Sequence, residues 1–114
     1  MRDCLFCKII AGEIPSNKVY EDENTYAFRD IQPQVKEHVL VIPKKHVADL
    51  SHTDELTAEQ LAACLRTCST VAEQLGIDKT GYRVVSNCGD DACQSVHHLH
   101  FHVLGGEKMK GEMA

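Results

Sequence analysis

Three histidines alternate with apolar residues near the end of the chain, as His98, His100 and His102. On a β-strand, side chains two positions apart share a face, so the three imidazoles are expected to point the same way. Imidazole is nucleophilic and titrates near neutral pH, so the three rings could take different roles in a reaction at phosphorus, such as nucleophile, proton donor and ligand. At a rise of about 3.3 Å per residue the outer two Cα atoms lie roughly 13 Å apart, so the three alone are poorly placed to hold one metal ion. From the residues alone, catalysis, a metal site that uses one H-x-H pair and a structural row all stay open.

A cysteine pair near the start of the chain is the second group whose spacing could do chemistry. Cys4 and Cys7 form a C-x-x-C pattern, which fits a redox pair, half of a metal site or chance. Because no thioredoxin-like strand precedes them, the redox interpretation is disfavoured. Cys64 and Cys68 instead fall among helical apolar positions and are expected to be buried as small hydrophobic side chains.

The size and charge of the chain limit its possible partners. Its 114 residues predict a single domain. The net charge of −5, with no stripe of Lys and Arg, argues against a nucleic acid polymer but leaves a single nucleotide possible. No apolar run approaches the roughly 18–20 residues that cross a bilayer, and the first residues lack the apolar core of a signal peptide. We therefore expect a cytoplasmic protein that does not bind a membrane.

Apolar patterning and turn residues predict the elements that position these groups. In chain order they are a short helix over 5–11 ended by Gly12, strands over 18–22, 25–30 and 38–43, a long helix from Thr57 to Gly76, and strands over 81–86 and 98–104. Strands grouped in this way indicate an α+β domain, an antiparallel sheet with helices packed on one face. Polar residues follow at 107–114, as in tails that are often disordered.

The long helix has the clearest signals of all. Thr57 and Gln60 form a capping box at its start, and Gly76 suits its end. Its apolar face is expected to comprise Leu61, Cys64, Leu65, Cys68, Val71, Ala72 and Leu75.

The run from His98 to Leu104 fits the pattern H-φ-H-φ-H-φ-φ, in which φ is apolar, and so resembles the signature of the histidine triad (HIT) superfamily. The stretches "FCKIIAGEIPS", "AFRDIQPQ", "HVLVIPKKH", "GYRVV" and "QSVHHLHFHVLGG" resemble its Hint branch, the histidine triad nucleotide-binding, protein kinase C inhibitor-like proteins. The resemblance implies a five-stranded antiparallel sheet with one long and one short helix. It also implies a homodimer in which two sheets form one of ten strands, and hydrolysis of purine nucleoside phosphoramidates such as adenosine 5′-phosphoramidate, without an organic cofactor.

The same resemblance implies a role for each candidate site residue. The catalytic residues are expected to be His98, His100, His102 and His38. His100 matches the nucleophile that forms a nucleotidyl-histidine, His102 a donor to phosphate or leaving-group oxygens, and His38 a residue that supports proton transfer to the leaving group. Asp30 matches the acid that accepts the ribose hydroxyls. The apolar wall around the base is matched by Leu5, Phe6, Ile9, Phe28 and Ile31, and the surroundings of the phosphate by Asn87, Cys93, Ser95 and His102.

The cysteine pair resembles that of superfamily members which hold a structural zinc, among them the galactose-1-phosphate uridylyltransferases. The resemblance implies zinc bound by Cys4, Cys7, His46 and the first triad histidine, His98. Two cysteines and two histidines make a tetrahedral set with no open position for water, so the ion is expected to be structural.

The chain departs from the branch at two places. Ala92 and Cys93 stand where the branch has two glycines, so a Cβ at each position is expected to restrict the phosphate loop. His97 stands where a tyrosine is usual, and the alternation places it on the face of Leu99 in a structural role. Three other functions stay open: a dinucleoside polyphosphate hydrolase, a nucleotide-binding regulatory protein with weak catalysis, and a zinc-stabilised scaffold.

Overall fold

The computed structural model describes residues 3–112. In chain order the elements are helix α1 (Leu5–Ile10), strands β1 (Lys18–Glu21), β2 (Thr25–Arg29) and β3 (Glu37–Pro43), a 3₁₀ turn (Leu50–Glu55), helix α2 (Ala58–Leu75), strand β4 (Tyr82–Val85), a second 3₁₀ turn (Asp90–Ala92) and strand β5 (Phe101–Gly105). The five strands form one sheet in the order β1-β2-β3-β5-β4, and every neighbouring pair is antiparallel. The predicted α+β class and five-stranded antiparallel sheet are therefore confirmed.

Helix α2 begins and ends where its capping residues predict. The Thr57 hydroxyl accepts a hydrogen bond from the backbone N–H of Gln60 at 3.0 Å, and the Thr57 N–H donates to the Gln60 side chain at 2.9 Å. This reciprocal pair satisfies two of the backbone donors that a helix start leaves open. At the other end Gly76 takes a left-handed conformation, with φ 75°, which glycine adopts without strain.

The buried face of α2 is turned slightly from the predicted one. Cys64 and Cys68 are buried as expected, and burial raises the pKa of each thiol to about 12. Leu65, however, is 55% exposed, so its predicted place in the core is wrong. The helix instead presents Thr67 to the sheet, where its hydroxyl lies 2.8 Å from that of Thr25.

The two helices pack on opposite faces of the sheet, which contradicts the expectation of helices on one face. Along β3, Val39 and Val41 join the core beneath α2. The alternating residues Leu40 and Ile42 join a second core with Phe6 of α1. A strand that is apolar at every position needs cover on both faces. The near-continuous apolar run of β3 therefore requires two layers of helix, which a single covered face cannot supply.

Strand β5 begins at Phe101, three residues later than predicted. Leu99, Phe101 and Val103 are nevertheless buried in the core beneath α2, as the alternation predicts. His97 is exposed, so its predicted position on the Leu99 face is wrong. The reason is that the chain before Phe101 is not strand, and strict alternation does not extend back to residue 97.

Residues beyond β5 contact the body of the domain. The Lys36 N–H donates to the Glu107 carboxylate at 2.8 Å, and the Arg83 guanidinium donates to the Lys110 carbonyl at 2.9 Å. Residues 113 and 114 of the predicted tail lie outside the described residues. Within residues 3–112, no helix has the length and apolar character needed to cross a bilayer.

Cys93, which stands where the Hint branch has a glycine, allows a prediction about stability. Cys93 has φ 61° and is the one non-glycine residue with positive φ among those the structure describes. A Cβ in the left-handed region costs about 1–2 kcal/mol, whereas glycine loses about 0.5–1 kcal/mol more backbone entropy on folding. Cys93→Gly should therefore raise the free energy of unfolding by up to about 1 kcal/mol in urea titrations.

Ala92→Gly is the matched control, because Ala92 lies in the 3₁₀ turn and its φ is not positive. This variant gains nothing from relief of strain and should be less stable than the parent. If Cys93→Gly were destabilised to the same degree as Ala92→Gly, the strain at Cys93 would be refuted.

Candidate active site and metal centre

A cleft of about 670 Å³ opens on the face of the sheet that carries α1. Its volume lies within the usual range of small-molecule sites. The predicted site residues that line it are Leu5, Phe6, Ile9, Phe28, Asp30, Ile31, His38, Asn87, Ser95, His100 and His102. Two predicted residues do not line the cleft. Cys93 is exposed at the end of the second 3₁₀ turn, and His98 is fully buried beside the cysteine pair.

The His100 ring is fixed in one tautomer by a main-chain carbonyl. Its Nδ1 lies 2.7 Å from the carbonyl oxygen of His98. A carbonyl can only accept, so Nδ1 carries the proton and Nε2 keeps its lone pair. Burial lowers the pKa of His100, against the opposing effects of this hydrogen bond and of Asp30. At neutral pH the ring is therefore a neutral imidazole with a nucleophilic nitrogen at Nε2.

A chain of three hydrogen-bonding groups sets the tautomers of His38 and His102. The backbone N–H of Gln34 donates to Nδ1 of His38 at 3.0 Å, so the His38 proton is on Nε2. That Nε2 donates to Nδ1 of His102 at 2.8 Å. The remaining proton of His102 is therefore on Nε2. One backbone amide thus makes His102 a hydrogen-bond donor through Nε2.

The imidazole rings of His38 and His102 are both neutral at neutral pH. Burial lowers the pKa of His38, although Asp30 acts in the opposite direction. Burial, followed by the charges of His100 and His38, lowers the pKa of His102 to about 4. The carboxylate of Asp30 accepts from the Gln32 N–H at 2.8 Å and lies 3.5 Å from His38 Nε2. Asp30 is thus held in place at the edge of the histidine chain while it still lines the cleft.

The side chains of Asp30, His38 and His102 are close enough together to suggest a metal site. Their donor atoms lie within 4.8 Å of one another. An ion bound at His38 Nε2 would displace the proton that joins the two rings. The proton cannot move to Nδ1, because the Gln34 N–H already donates to that atom. The group is therefore better described as a hydrogen-bond chain than as a metal site.

The second cluster has the chemistry and the spacing of a tetrahedral metal centre. It comprises Cys4, Cys7, His46 and His98. The Nδ1 atoms of the two histidines lie 3.2 Å apart, and Sγ–Nδ1 distances are 3.4–3.6 Å. Usual zinc bond lengths in a tetrahedron put two nitrogens about 3.4 Å apart and a nitrogen and a sulfur about 3.6 Å apart. The four donors could therefore hold a zinc ion without rearrangement.

Local structure aims these donors at one point. Cys4 caps α1, and its Sγ accepts from the Cys7 N–H at 3.4 Å, so both thiols lie at the first turn of the helix. Nε2 of His98 donates to the Pro43 carbonyl at 2.9 Å. This bond leaves the Nδ1 lone pair of His98 for a metal, as in histidine ligands oriented by a second hydrogen bond. His46 follows β3 by three residues.

Among the lining residues that sequence reasoning missed, Gln34 and Arg29 bear on the polar groups of the cleft. The Gln34 amide sets the tautomer of His38, but it is a main-chain group and no residue type signals it. Arg29 lines the cleft and is held by Glu37 at 2.6 Å. Its position immediately before Asp30 in the sequence was an available but weak signal.

Comparison with known proteins agrees with this fold and site. The family model described as "HIT domain" matches residues 11–109. The chain therefore belongs to the HIT domain family, as its histidine pattern predicts.

Individual relatives carry names that bear on the two clusters. The chain is 49% identical over 107 residues to a "14 kDa zinc-binding protein" of Zea mays, covering 92% of this chain and 83% of the relative. It is 45% identical to a solved "HIT family hydrolase" from Clostridium thermocellum, with a TM-score of 0.95 and coverage of 100% and 99%. A solved "histidine triad nucleotide-binding protein" from Candida albicans is 38% identical, with a TM-score of 0.82 and coverage of 98% of this chain and 86% of that one.

The neutral histidine chain predicts how stability changes with pH. Burial lowers the folded-state pKa of His102 from 6.5 to about 4. Between these values the unfolded chain binds the extra proton, so the free energy of unfolding falls as pH falls from about 6.5 towards 4. The melting temperature of His102→Gln should therefore drop less between pH 7 and pH 5 than that of the parent.

His52→Gln is the control of opposite sign. Asp49 raises the pKa of His52 through a hydrogen bond, so the stability from this pair is present in acid and declines as pH rises. In His52→Gln the melting temperature should therefore drop between pH 7 and pH 5 by as much as in the parent, or by more. Equal drops in the parent and in His102→Gln would show that His102 is not held neutral by the fold.

Proposed function

We propose that the protein is a purine nucleotide-binding hydrolase of the adenosine 5′-monophosphoramidase type, which cleaves P–N bonds through a nucleotidyl-histidine. One observation carries the proposal: His100 donates through Nδ1 to a main-chain carbonyl and keeps a lone pair at Nε2 in a cleft of nucleotide size. The names of the relatives from Clostridium thermocellum and Candida albicans support hydrolysis and nucleotide binding.

The cleft offers a complementary group for each part of a purine nucleotide. Phe6 and Phe28 supply an apolar wall for the base, and Ile31, which is 92% exposed at the rim, would be covered by it. The Asp30 carboxylate can accept from the two ribose hydroxyls. Asn87 and Ser95 line the cleft on the loop side and can donate to the phosphate. The sequence-based role of Cys93 near the phosphate stays a prediction.

The reaction proceeds in two displacements at phosphorus. Nε2 of His100 attacks the α-phosphorus, the P–N bond to the amine breaks, and the bonding pair leaves on the amine nitrogen. The amine takes the Nε2 proton of His102 as it leaves, and a proton from solvent, attracted by the Asp30 carboxylate, restores the neutral His38–His102 pair. In the second step a water oxygen attacks phosphorus, the bond to His100 breaks, and the proton of that water is released to solvent. Before and after the proton transfer, His102 donates through Nε2 to a phosphate oxygen.

Mass spectrometry of the protein quenched during turnover tests this function. With adenosine 5′-phosphoramidate the parent should carry a nucleotidyl group on the peptide that contains His100. His100→Ala should lack the adduct and lose at least about a hundredfold in turnover, while calorimetry with AMP still detects binding.

Three outcomes would contradict the proposal. Undiminished hydrolysis by His100→Ala would remove His100 as the nucleophile and favour a binding protein with incidental turnover. Faster turnover of diadenosine polyphosphates than of the phosphoramidate would favour the dinucleotide hydrolase. No AMP binding by the parent would favour a scaffold.

We also propose that Cys4, Cys7, His46 and His98 hold one structural zinc ion. The donor distances support this ion, as does the name of the zinc-binding relative from Zea mays. Four protein ligands leave no position for water, so zinc would supply structure rather than reaction steps. It would tie α1, which carries part of the apolar wall, to the chain just before β5.

A homodimer through β4 is proposed on the basis of an uncovered sheet edge. β4 is the last strand of the order β1-β2-β3-β5-β4. Tyr82 and Val84 are each 37% exposed, and Val84 pairs with the buried Val103, which places it on the α2 face. The exposed Leu65 of α2 lies on the same side of the sheet. Pairing of two β4 edges would cover these apolar groups and yield the ten-stranded sheet. The cytoplasmic location expected from the sequence stays a prediction.

Native mass spectrometry measures both zinc content and oligomeric state. The parent should appear as two chains of 12.7 kDa with one zinc each. Cys7→Ser should lose the zinc, and Cys93→Ser, at an exposed cysteine, is the control that keeps it. Val84→Lys should appear as a monomer that retains zinc, because a buried unpaired charge opposes edge pairing.

Zinc retained by Cys7→Ser would exclude the assigned ligand set. A monomeric parent at micromolar concentration would exclude the dimer and leave the zinc assignment intact. The two proposals therefore fail separately.

A further inference from the structure

The ring of Phe6 lies between the metal centre and the nucleophile. It contacts His98 with centroids 5.9 Å apart and planes at 65°, and His100 with centroids 5.2 Å apart and planes at 88°. A third edge contact, to Phe28 at 5.4 Å and 74°, holds the other side of the ring. Edge-to-face contacts of this kind have a preferred geometry, so they orient the rings as well as bury them.

The position of Phe6 depends on the two cysteines around it. α1 has only six residues, and a helix of this length is not stable on its own in water. Phe6 stands between Cys4 and Cys7, and both thiols belong to the metal centre. Fixing the two thiols therefore fixes the backbone that carries the Phe6 ring.

The His100 ring needs such a constraint because its own hydrogen bond does not prevent rotation of the ring. The bond from Nδ1 to the His98 carbonyl fixes one atom of the ring, but the imidazole can still swing about that bond. Phe6 closes one side at 5.2 Å, and His102 closes another, with ring centroids also 5.2 Å apart. With both neighbours in place, Nε2 has one direction in which to attack.

We infer that Phe6 is a positioning residue that transmits the order of the metal centre to the His100 imidazole. The inference rests on the proposed function and extends it, because it makes metal occupancy a condition for a correctly aimed nucleophile. Phe6 also lines the cleft, so its effect on alignment must be separated from contact with the base. Base contact lowers KM, whereas alignment of the reacting atoms raises kcat.

Zinc-loaded Phe6→Leu and Phe6→Tyr form the central comparison. Leucine keeps apolar volume but removes the ring, and tyrosine keeps the ring. Phe6→Leu should lower kcat for adenosine 5′-phosphoramidate by roughly tenfold, and Phe6→Tyr should restore it to near the parent value. Leu5→Ala, a change in the same helix and cleft that leaves the Phe6–His100 contact intact, should raise KM with little change in kcat.

A spectroscopic readout keeps the test independent of catalysis. In protein labelled with ¹³C-histidine, relaxation dispersion at the ring carbons reports motion of each imidazole, and His100→Asn assigns the His100 signal. The parent and Leu5→Ala should show no exchange at the His100 ring. Phe6→Leu, and the parent stripped of metal by a chelator, should show exchange between ring orientations. If circular dichroism shows that removal of the metal unfolds the sheet, the comparison of the parent with zinc-loaded Phe6→Leu decides the test alone.

A His100 ring without exchange in Phe6→Leu, or an effect of this variant on KM alone, would overturn the positioning role. Absence of hydrolysis in the parent would remove the proposed function instead, while the comparison of ring motion would still decide whether Phe6 orders His100. The two failures are therefore distinguishable.

Discussion

The hydrogen bond from His100 Nδ1 to the carbonyl of His98 is the contact on which the site depends. It joins two groups of residues, since His98 belongs to the four-donor cluster that fits a metal ion and His100 lines the cleft. Because a carbonyl accepts only, the bond determines that the lone pair of His100 is on Nε2. Movement of the His98 backbone would therefore alter both the direction and the tautomer of the His100 ring.

Burial and hydrogen-bond direction together make a row of histidines useful. Three adjacent charged imidazoles would repel one another, and burial keeps the pKa of His38, His100 and His102 below the ordinary value. Neutral rings then need assigned tautomers, and the fold assigns them with two main-chain groups, the Gln34 N–H and the His98 carbonyl. The side chains supply the chemistry, and the backbone determines which atom of each side chain performs it.

This division explains what the sequence could predict. Patterns of side chains are visible in a sequence, so the capped helix α2 and the apolar strand β3 agree with the structure. The grouping of Cys4, Cys7, His46 and His98, which the family resemblance implies, agrees with it as well. The Gln34 amide carries no such signal, because every residue except proline has an N–H. Likewise, the rotation of α2 that exposes Leu65 places Thr67 against Thr25, and a contact between such distant segments has no local sequence signal.

The three remaining errors share a cause. The start of β5 at His98 and the place of His97 on the Leu99 face both assume that strand alternation extends before Phe101, yet the chain there leaves the sheet and brings His98 to the cysteines. The placement of both helices on one face overlooked the second apolar side of β3. In each case a local pattern was read correctly, but the tertiary requirement at its boundary was decisive.

The two faces of the sheet differ in how they are held. On one face the 18 residues of α2 pack over a large apolar core, and burial alone can stabilise that layer. On the other face α1 has six residues and a smaller core, and a helix of this length is not stable on its own in water. The cluster of two thiols and two imidazoles lies at this layer, where a bound ion would add a crosslink. The cleft lies on the same face, so such an ion would stabilise the layer that carries His100.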